Sequence, residues 1–123
     1  MPTERNGIVL FDVNEKYADH PVTRKLQGVD LGDVRFPFGF YVVEENGKKI
    51  VLPGTREDLV KHVLKAFPDY PKELFGLIGS TGVCRGSTDG CEGGCRGFPT
   101  GYACVRLGDP TDGFFGCDCV DKS

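Results

Sequence analysis

The sequence predicts an α+β fold in two parts, and three observations support this division. All six cysteines lie within residues 84–119, and 11 of the 18 glycines lie within residues 79–116. In the first part an Asn-Gly pair separates two β-prone runs, and an amphipathic helical pattern follows it. We therefore expect a small α+β domain over residues 1–80, with a β-hairpin and one or two short helices. Residues 81–123 are expected to form a Gly- and Cys-rich, loop-dominated module held by crosslinks.

A buried strand and an irregular stretch are predicted at the start of the N-terminal part. Residues 7–13, Gly-Ile-Val-Leu-Phe-Asp-Val, form a short apolar run with β-branched side chains, which predicts a buried strand. Residues 20–37 are polar and interrupted by Gly28 and Gly32, so we expect no regular structure there.

The clearest local signal predicts a β-hairpin over residues 38–52. Residues 38–43 and 49–52 are both β-prone, and the Glu-Asn-Gly-Lys sequence at 45–48 is typical of a turn. Asn46 and Gly47 both tolerate positive φ, which a two-residue hairpin turn requires.

A capped helix and a second, shorter helix are predicted after the hairpin. Thr55 and Asp58 have the spacing of a capping box, which marks the N-terminus of a helix. The helix ends at Pro68, and Pro71 suits the start of a short helix over residues 72–78. The apolar stripe of the first helix consists of Leu59, Val60, Val63, Leu64 and Phe67.

Composition excludes two classes of function. Lys and Arg total 15 against 18 Asp and Glu, a formal net charge of −3, whereas domains that bind nucleic acid carry a basic excess or patch. No apolar run approaches the roughly 18–20 residues that a membrane-spanning helix requires. We therefore expect no nucleic-acid partner and no membrane span.

The cysteine-rich part is too polar and too rich in glycine to fold by apolar burial alone. An even number of cysteines in a short segment favours disulfides, each of which stabilises a loop of this size by about 2–4 kcal/mol. The spacing does not determine the pairing, except that Cys117 and Cys119 are too close to bond comfortably to each other. The predicted disulfide residues are Cys84, Cys91, Cys95, Cys104, Cys117 and Cys119.

Two alternatives to three disulfides remain open. A four-thiolate site for zinc or an iron–sulfur cluster can be drawn, although the Cys-x2-Cys spacing typical of such sites is absent. Its ligands would be Cys91, Cys95, Cys117 and Cys119. Ser and Thr residues interspersed among the cysteines are also compatible with the precursor of an enzymatically crosslinked peptide natural product. No cofactor is expected under the disulfide hypothesis.

The compartment depends on which hypothesis holds. The first residues show no basic-then-apolar leader, which favours a reducing compartment. Disulfides would instead indicate an extracellular or periplasmic protein, and thiolate-bound metal a cytoplasmic one.

No catalytic constellation is evident. His20 falls in an expected loop and His62 lies off the apolar stripe, so both histidines are predicted to lie at the surface. Clustered cysteines without a neighbouring histidine lack the partner base that a nucleophilic thiol needs. We therefore expect no enzyme activity.

The sequence thus predicts a non-enzymatic binding protein, either an accessory subunit or a recognition protein. Its partner would be another protein or a second copy of the chain. Crosslinked loops suit recognition because crosslinks limit the entropy lost on binding, and Arg and aromatic side chains are favoured anchors. For Tyr102, Phe114 and Phe115, packing against the first domain is an equal alternative. The candidate contact residues are Arg85, Arg96, Phe98, Tyr102, Arg106, Phe114 and Phe115.

Overall fold

The computed structural model describes residues 3–12, 20–27, 35–79, 84–87 and 90–121. These residues form nine strands: β1 (Thr3–Arg5), β2 (Ile8–Asp12), β3 (Arg35–Phe36), β4 (Phe40–Glu45), β5 (Lys48–Pro53), β6 (Arg85–Ser87), β7 (Gly90–Glu92), β8 (Tyr102–Asp109) and β9 (Phe114–Asp121). They also form two α-helices, α1 (Pro21–Lys25) and α2 (Arg56–Ala66), and a 3-10 helix, Lys72–Leu77.

Six of the described strands form one sheet in the order β1-β2-β8-β9-β4-β5, and all of its neighbouring pairs are antiparallel. A smaller sheet has the order β3-β6-β7. The large sheet takes strands from both sides of residue 80, so residues 1–80 and 81–123 share it. The predicted α+β class is confirmed in part, as an antiparallel sheet with few short helices and crosslinked cysteines.

Two Asn-Gly turns form hairpins at opposite edges of the large sheet. Asn46 and Gly47, with φ of 54° and 78°, join β4 to β5, which confirms the hairpin predicted from the sequence. Asn6 and Gly7, with φ of 50° and 82°, join β1 to β2 in the same way. Strand β2 falls within the predicted strand 7–13, whereas β1 was not predicted.

Helix α2 begins and ends as its sequence predicts. The Thr55 hydroxyl accepts a hydrogen bond from the Asp58 N–H at 3.1 Å, and the Asp58 carboxylate accepts one from the Thr55 N–H at 2.9 Å. This reciprocal pair satisfies two N–H groups that the helix itself leaves unbonded. Phe67 closes the helix just before Pro68. After Pro71 the second predicted helix forms as the 3-10 helix.

The two faces of the large sheet are packed differently. Alternation along β8 and β9 directs one set of side chains to α2, where Val105, Leu107 and Phe114 pack with Leu59 and Val63. The other set faces a second apolar cluster, formed by Phe11, Val22, Phe40, Val42 and Phe115, and a cluster of cysteines.

Two expectations for irregular structure need correction. Within the segment 20–37, residues 21–25 form α1, because Nδ1 of His20 accepts a hydrogen bond from the Val22 N–H at 3.1 Å and Pro21 fits the first turn; residues 28–34 lie outside the described part of the chain. The C-terminal part, expected to be dominated by loops, contains the two eight-residue strands β8 and β9. Their side chains are mostly buried because α2 packs on one face of these strands, and a second apolar cluster and the cysteine cluster pack on the other.

Among the described residues, the longest helix is the 11-residue α2, and no helix is long and apolar enough to cross a membrane.

Candidate functional site

Three disulfides join Cys84, Cys91 and Cys95 to one face of β8 and β9. All six cysteines lie in the described part of the chain, and none is free. The bridges join the first cysteine to the fourth, the second to the fifth and the third to the sixth, which confirms a disulfide-stapled module. The pairs are Cys84–Cys104, Cys91–Cys117 and Cys95–Cys119, with Cα–Cα distances of 5.5, 6.1 and 5.7 Å.

The register of the sheet places Cys104, Cys117 and Cys119 on the same face. Cys117 and Cys119 are two residues apart on β9 and therefore point to the same face, while Cys104 lies opposite Cys119 on β8. Cys117 and Cys119 bond to separate partners, as the sequence predicts. The loops span 20–26 residues, so each bridge is expected to stabilise the fold by about 2–4 kcal/mol. The four cysteines of the metal hypothesis all lie in these bridges, which leaves no thiolate to bind an ion in this structure.

Three of the predicted contact residues are buried. Phe114 packs beneath α2, and Phe115 packs with Phe11 and Phe40 on the other face of the sheet. Arg106 is 1% exposed, and its guanidinium lies 4.0 Å from the centroid of the Phe115 ring. The structure therefore shows that Phe114 and Phe115 are packed in the core, which is the alternative that the sequence left open. The exposure expected for Arg106 is wrong, because its guanidinium lies over the buried Phe115 ring rather than in solvent.

The other predicted contact residues lie near the start of β8. Arg96 is exposed, and Phe98 and Tyr102 are half-buried with their rings stacked at a centroid distance of 5.5 Å. Hydrogen bonds from the Phe98 N–H to the Cys95 carbonyl and from the Tyr102 N–H to the Pro99 carbonyl form two tight turns. The structure places Arg85 in β6, opposite Glu92, and describes only its backbone.

A groove lies beside Tyr102, and it was not predicted. It has a volume of about 260 Å³, and Tyr102, Arg5, Phe67 and Tyr70 are among its lining residues. The Arg5 guanidinium lies 4.7 Å from the centroid of the Phe67 ring. The Tyr70 hydroxyl is buried and has no hydrogen-bond partner among the described residues. The groove therefore combines aromatic surface with a cation.

A polar cluster lies between α2 and the β8–β9 turn, on the face of the sheet opposite the disulfides. Its centre is His62, which is fully buried and stacks on Phe114 with a ring-centroid distance of 4.0 Å. His62 Nδ1 lies 3.6 Å from an oxygen of Asp109, and Nε2 lies 3.8 Å from an oxygen of Asp112. The Tyr41 hydroxyl is 3.4 Å from Nε2.

Asp109 is held in place from two sides. Its Oδ1 accepts hydrogen bonds from the backbone N–H groups of Thr111 and Asp112 at 3.0 and 3.4 Å, which shapes the turn. Its Oδ2 accepts a hydrogen bond from the Lys65 ammonium at 3.0 Å. Although its burial opposes ionisation, the Lys65 hydrogen bond and those from the two N–H groups hold the pKa of this carboxyl below its usual value.

The predicted surface position of both histidines is wrong. His62 takes the i+3 position after Leu59 and is buried with Leu59, Val63 and Ala66, a spacing that marks one helix face. His20 is buried as well, because it caps α1 and packs against Phe11 with a ring-centroid distance of 5.2 Å. Burial lowers the pKa of both imidazoles below 6.5, so both are neutral at pH 7.

Asp118 is a buried carboxyl among apolar neighbours. It lies on β9 opposite Val105 and is 1% exposed. Hydrogen bonds from the backbone N–H groups of Cys119 and Gly79 reach it, but its Oδ2 has no hydrogen-bond partner among the described residues. Burial outweighs these hydrogen bonds and raises the pKa of Asp118 to about 7.

Comparison of the chain with protein-family models, curated proteins and solved structures found no match.

Proposed function

We propose that this chain is a non-enzymatic binding protein, an accessory subunit or recognition protein, that contacts a partner protein through its crosslinked module. The observation that carries the proposal is the stacked, half-buried pair of Phe98 and Tyr102 on a short loop. This loop starts at Cys95, which is bonded to Cys119, and ends where β8 begins. Both ends are fixed, so little conformational entropy remains to be lost when a partner binds.

The groove extends this contact surface. Tyr102 belongs both to the stacked pair and to the groove wall, so the two features are continuous. Arg96 on the loop and Arg5 in the groove add cationic groups beside the rings, and such side chains are common interface anchors.

The geometry of the titratable groups supports binding over catalysis. A catalytic base must reach the substrate proton, but both histidines are buried, and His62 is covered by Phe114. All the thiols are in disulfides, so none is available as a nucleophile.

The test compares partner binding by the disulfide-intact protein and two double variants. Phe98→Ser with Arg96→Glu changes the loop, while Lys48→Glu with Glu45→Lys changes the exposed β4–β5 turn at constant net charge. A partner captured from the source organism is purified, and its Kd is measured against all three proteins. We expect the loop variant to bind at least about tenfold more weakly, since interface anchors are worth about 2 kcal/mol or more. The turn variant should bind like the unmodified protein. Equal binding by the loop variant would contradict the proposed surface, and a light-scattering mass of two chains would identify a second copy as the partner.

A further inference from the structure

We propose that His62, Asp109 and Asp112 form a binding site for one Zn²⁺ ion, on the face of the sheet opposite the disulfides. Each residue offers one ligand atom, and the three atoms lie within 4.8 Å of one another. His62 comes from α2, Asp109 from the end of β8 and Asp112 from the turn that follows. An ion at this point would therefore join the helix to the turn.

An unsatisfied nitrogen of His62 is the independent observation that points to a ligand. The side chain is fully buried, yet its Nδ1 has no hydrogen-bond partner among the described residues. Nδ1 faces an oxygen of Asp109 at 3.6 Å, which is too long for a hydrogen bond. A buried nitrogen without a partner destabilises the fold, so some group is expected to satisfy it. A cation between the imidazole and the carboxylate would satisfy both.

The chemistry of the three side chains favours zinc. Zn²⁺ binds both imidazole nitrogen and carboxylate oxygen, whereas Mg²⁺ and Ca²⁺ prefer oxygen ligands alone. With bonds of about 2.0–2.2 Å, the ligand atoms of a tetrahedral zinc site lie about 3.3–3.6 Å apart. The Asp112 oxygen lies 3.8 Å from His62 Nε2, and its side chain is 38% exposed, so it would rotate toward an ion held by His62 Nδ1 and Asp109.

Tyr41 and Lys65 set the surroundings of the site. The Tyr41 hydroxyl lies 3.4 Å from His62 Nε2, where it can orient the ring as the outer partners of metal-bound histidines do. The Lys65 ammonium lies 3.0 Å from the Asp109 oxygen and neutralises it without metal. Because the Lys65 side chain is 44% exposed, it can turn into solvent when an ion binds. Lys65 therefore competes with the metal, and its removal should strengthen zinc binding.

The test is a titration of the disulfide-intact protein with Zn²⁺ at pH 7, using a chromophoric chelator as competitor. We expect one equivalent of zinc to bind. Asp112→Asn should weaken binding at least about tenfold, because loss of even an outer partner of a metal ligand costs roughly 10–100-fold in affinity. Asp112 is partly exposed, so this variant is expected to fold. Glu57→Gln, which removes the same charge from an exposed position on α2, should leave the affinity unchanged.

The lysine variants test the competition directly. Lys65→Met should tighten zinc binding several-fold, whereas Lys61→Met removes the same charge from an exposed position on the same helix and should not. Nitrogen NMR of the two imidazoles identifies the ligand without any substitution, since only His62 should shift on zinc addition. No zinc binding at millimolar concentration would overturn the proposal. Binding that Asp112→Asn leaves intact, or a shift of His20 alone, would place the ion elsewhere and also overturn it.

Discussion

Asp118 is expected to destabilise the protein as the pH rises from about 4 to 7, and Asp118→Asn should remove this loss. Burial raises the pKa of the folded carboxyl to about 7 from an ordinary value of 3.8. In this pH range the unfolded chain has lost the proton while the folded protein still holds it. The folded state therefore binds more protons, and the free energy of unfolding falls with rising pH. Below pH 4 and above pH 7 the folded and unfolded states carry the same charge at Asp118. In those ranges its contribution to the free energy of unfolding does not change with pH.

The size of the effect follows from the two pKa values. A difference of about three corresponds to about 4 kcal/mol, an upper bound because local relaxation and water entry would reduce it. Asparagine has the shape of the protonated carboxyl and does not ionise. Relative to the unmodified protein, Asp118→Asn should therefore gain several kcal/mol of stability between pH 4.5 and pH 8.

The assay is guanidinium unfolding of both proteins, with disulfides intact, at pH 4.5, 6 and 8. Titration of the two buried histidines also changes stability at low pH, but it does so equally in both proteins and cancels in the difference. Asp69→Asn, at an exposed position, serves as the control for the substitution itself. The compared quantity is the difference in the free energy of unfolding between Asp118→Asn and the unmodified protein. If this difference stays constant within about 0.5 kcal/mol from pH 4.5 to 8, the reasoning is refuted.

Two further predictions concern local structure, and both are checked by the free energy of unfolding. Thr55→Ala removes the capping box of α2 and should cost about 1 kcal/mol, whereas Thr100→Ala in an exposed loop should cost almost nothing; equal costs would contradict the capping role. Gly113 and Gly47 have similar φ, 70° and 78°, but a Cβ at Gly113 would lie 2.6 Å from the Val42 carbonyl, while one at Gly47 would have open space. Gly47→Ala should therefore cost about 1–2 kcal/mol and Gly113→Ala clearly more, and the reverse order would show that the β8–β9 turn is placed differently.

Elements with complete local signals were predictable from the sequence. The β4–β5 hairpin needs two positive φ values, and Asn46 and Gly47 supply both. Helix α2 carries its own start signal at Thr55 and its own stop at Pro68. The even number of cysteines and the poor apolar content of the last 40 residues were enough to predict crosslinking.

The place of β8 and β9 in the sheet was not predictable in the same way. The glycines and cysteines of β8 and β9 are typical of loops. In the structure β8 pairs with β2 and β9 pairs with β4, so β8 and β9 are the central strands of the sheet. Long-range pairing of this kind leaves no local signal. The register of β8 against β9 likewise places Cys104, Cys117 and Cys119 on one face of the sheet, and a single sequence does not reveal that register.

The polar cluster at His62 was missed for a different reason. The predicted buried face of α2 contains only apolar residues and therefore omits His62. The i+3 spacing from Leu59 nevertheless puts His62 on the same face of the helix. The segment from Asp109 to Gly113 is also a turn signal, because an Asp side chain caps following N–H groups and Gly113 adopts a φ of 70°. Recognition of this turn would have predicted that Asp109 and Asp112 lie at the end of β8. It would not have predicted that they lie beside His62.

The central claim is that disulfides hold a recognition loop on one face of the sheet, and disulfide mapping tests it most directly. Trypsin, Glu-C and Asp-N together cut between every pair of successive cysteines, and a cut before Asp118 separates the last two. Digestion without reductant, after alkylation of any free thiol, should yield only linked peptides for Cys84–Cys104, Cys91–Cys117 and Cys95–Cys119. Alkylated cysteines, or peptides linked in any other pairing, would contradict the account.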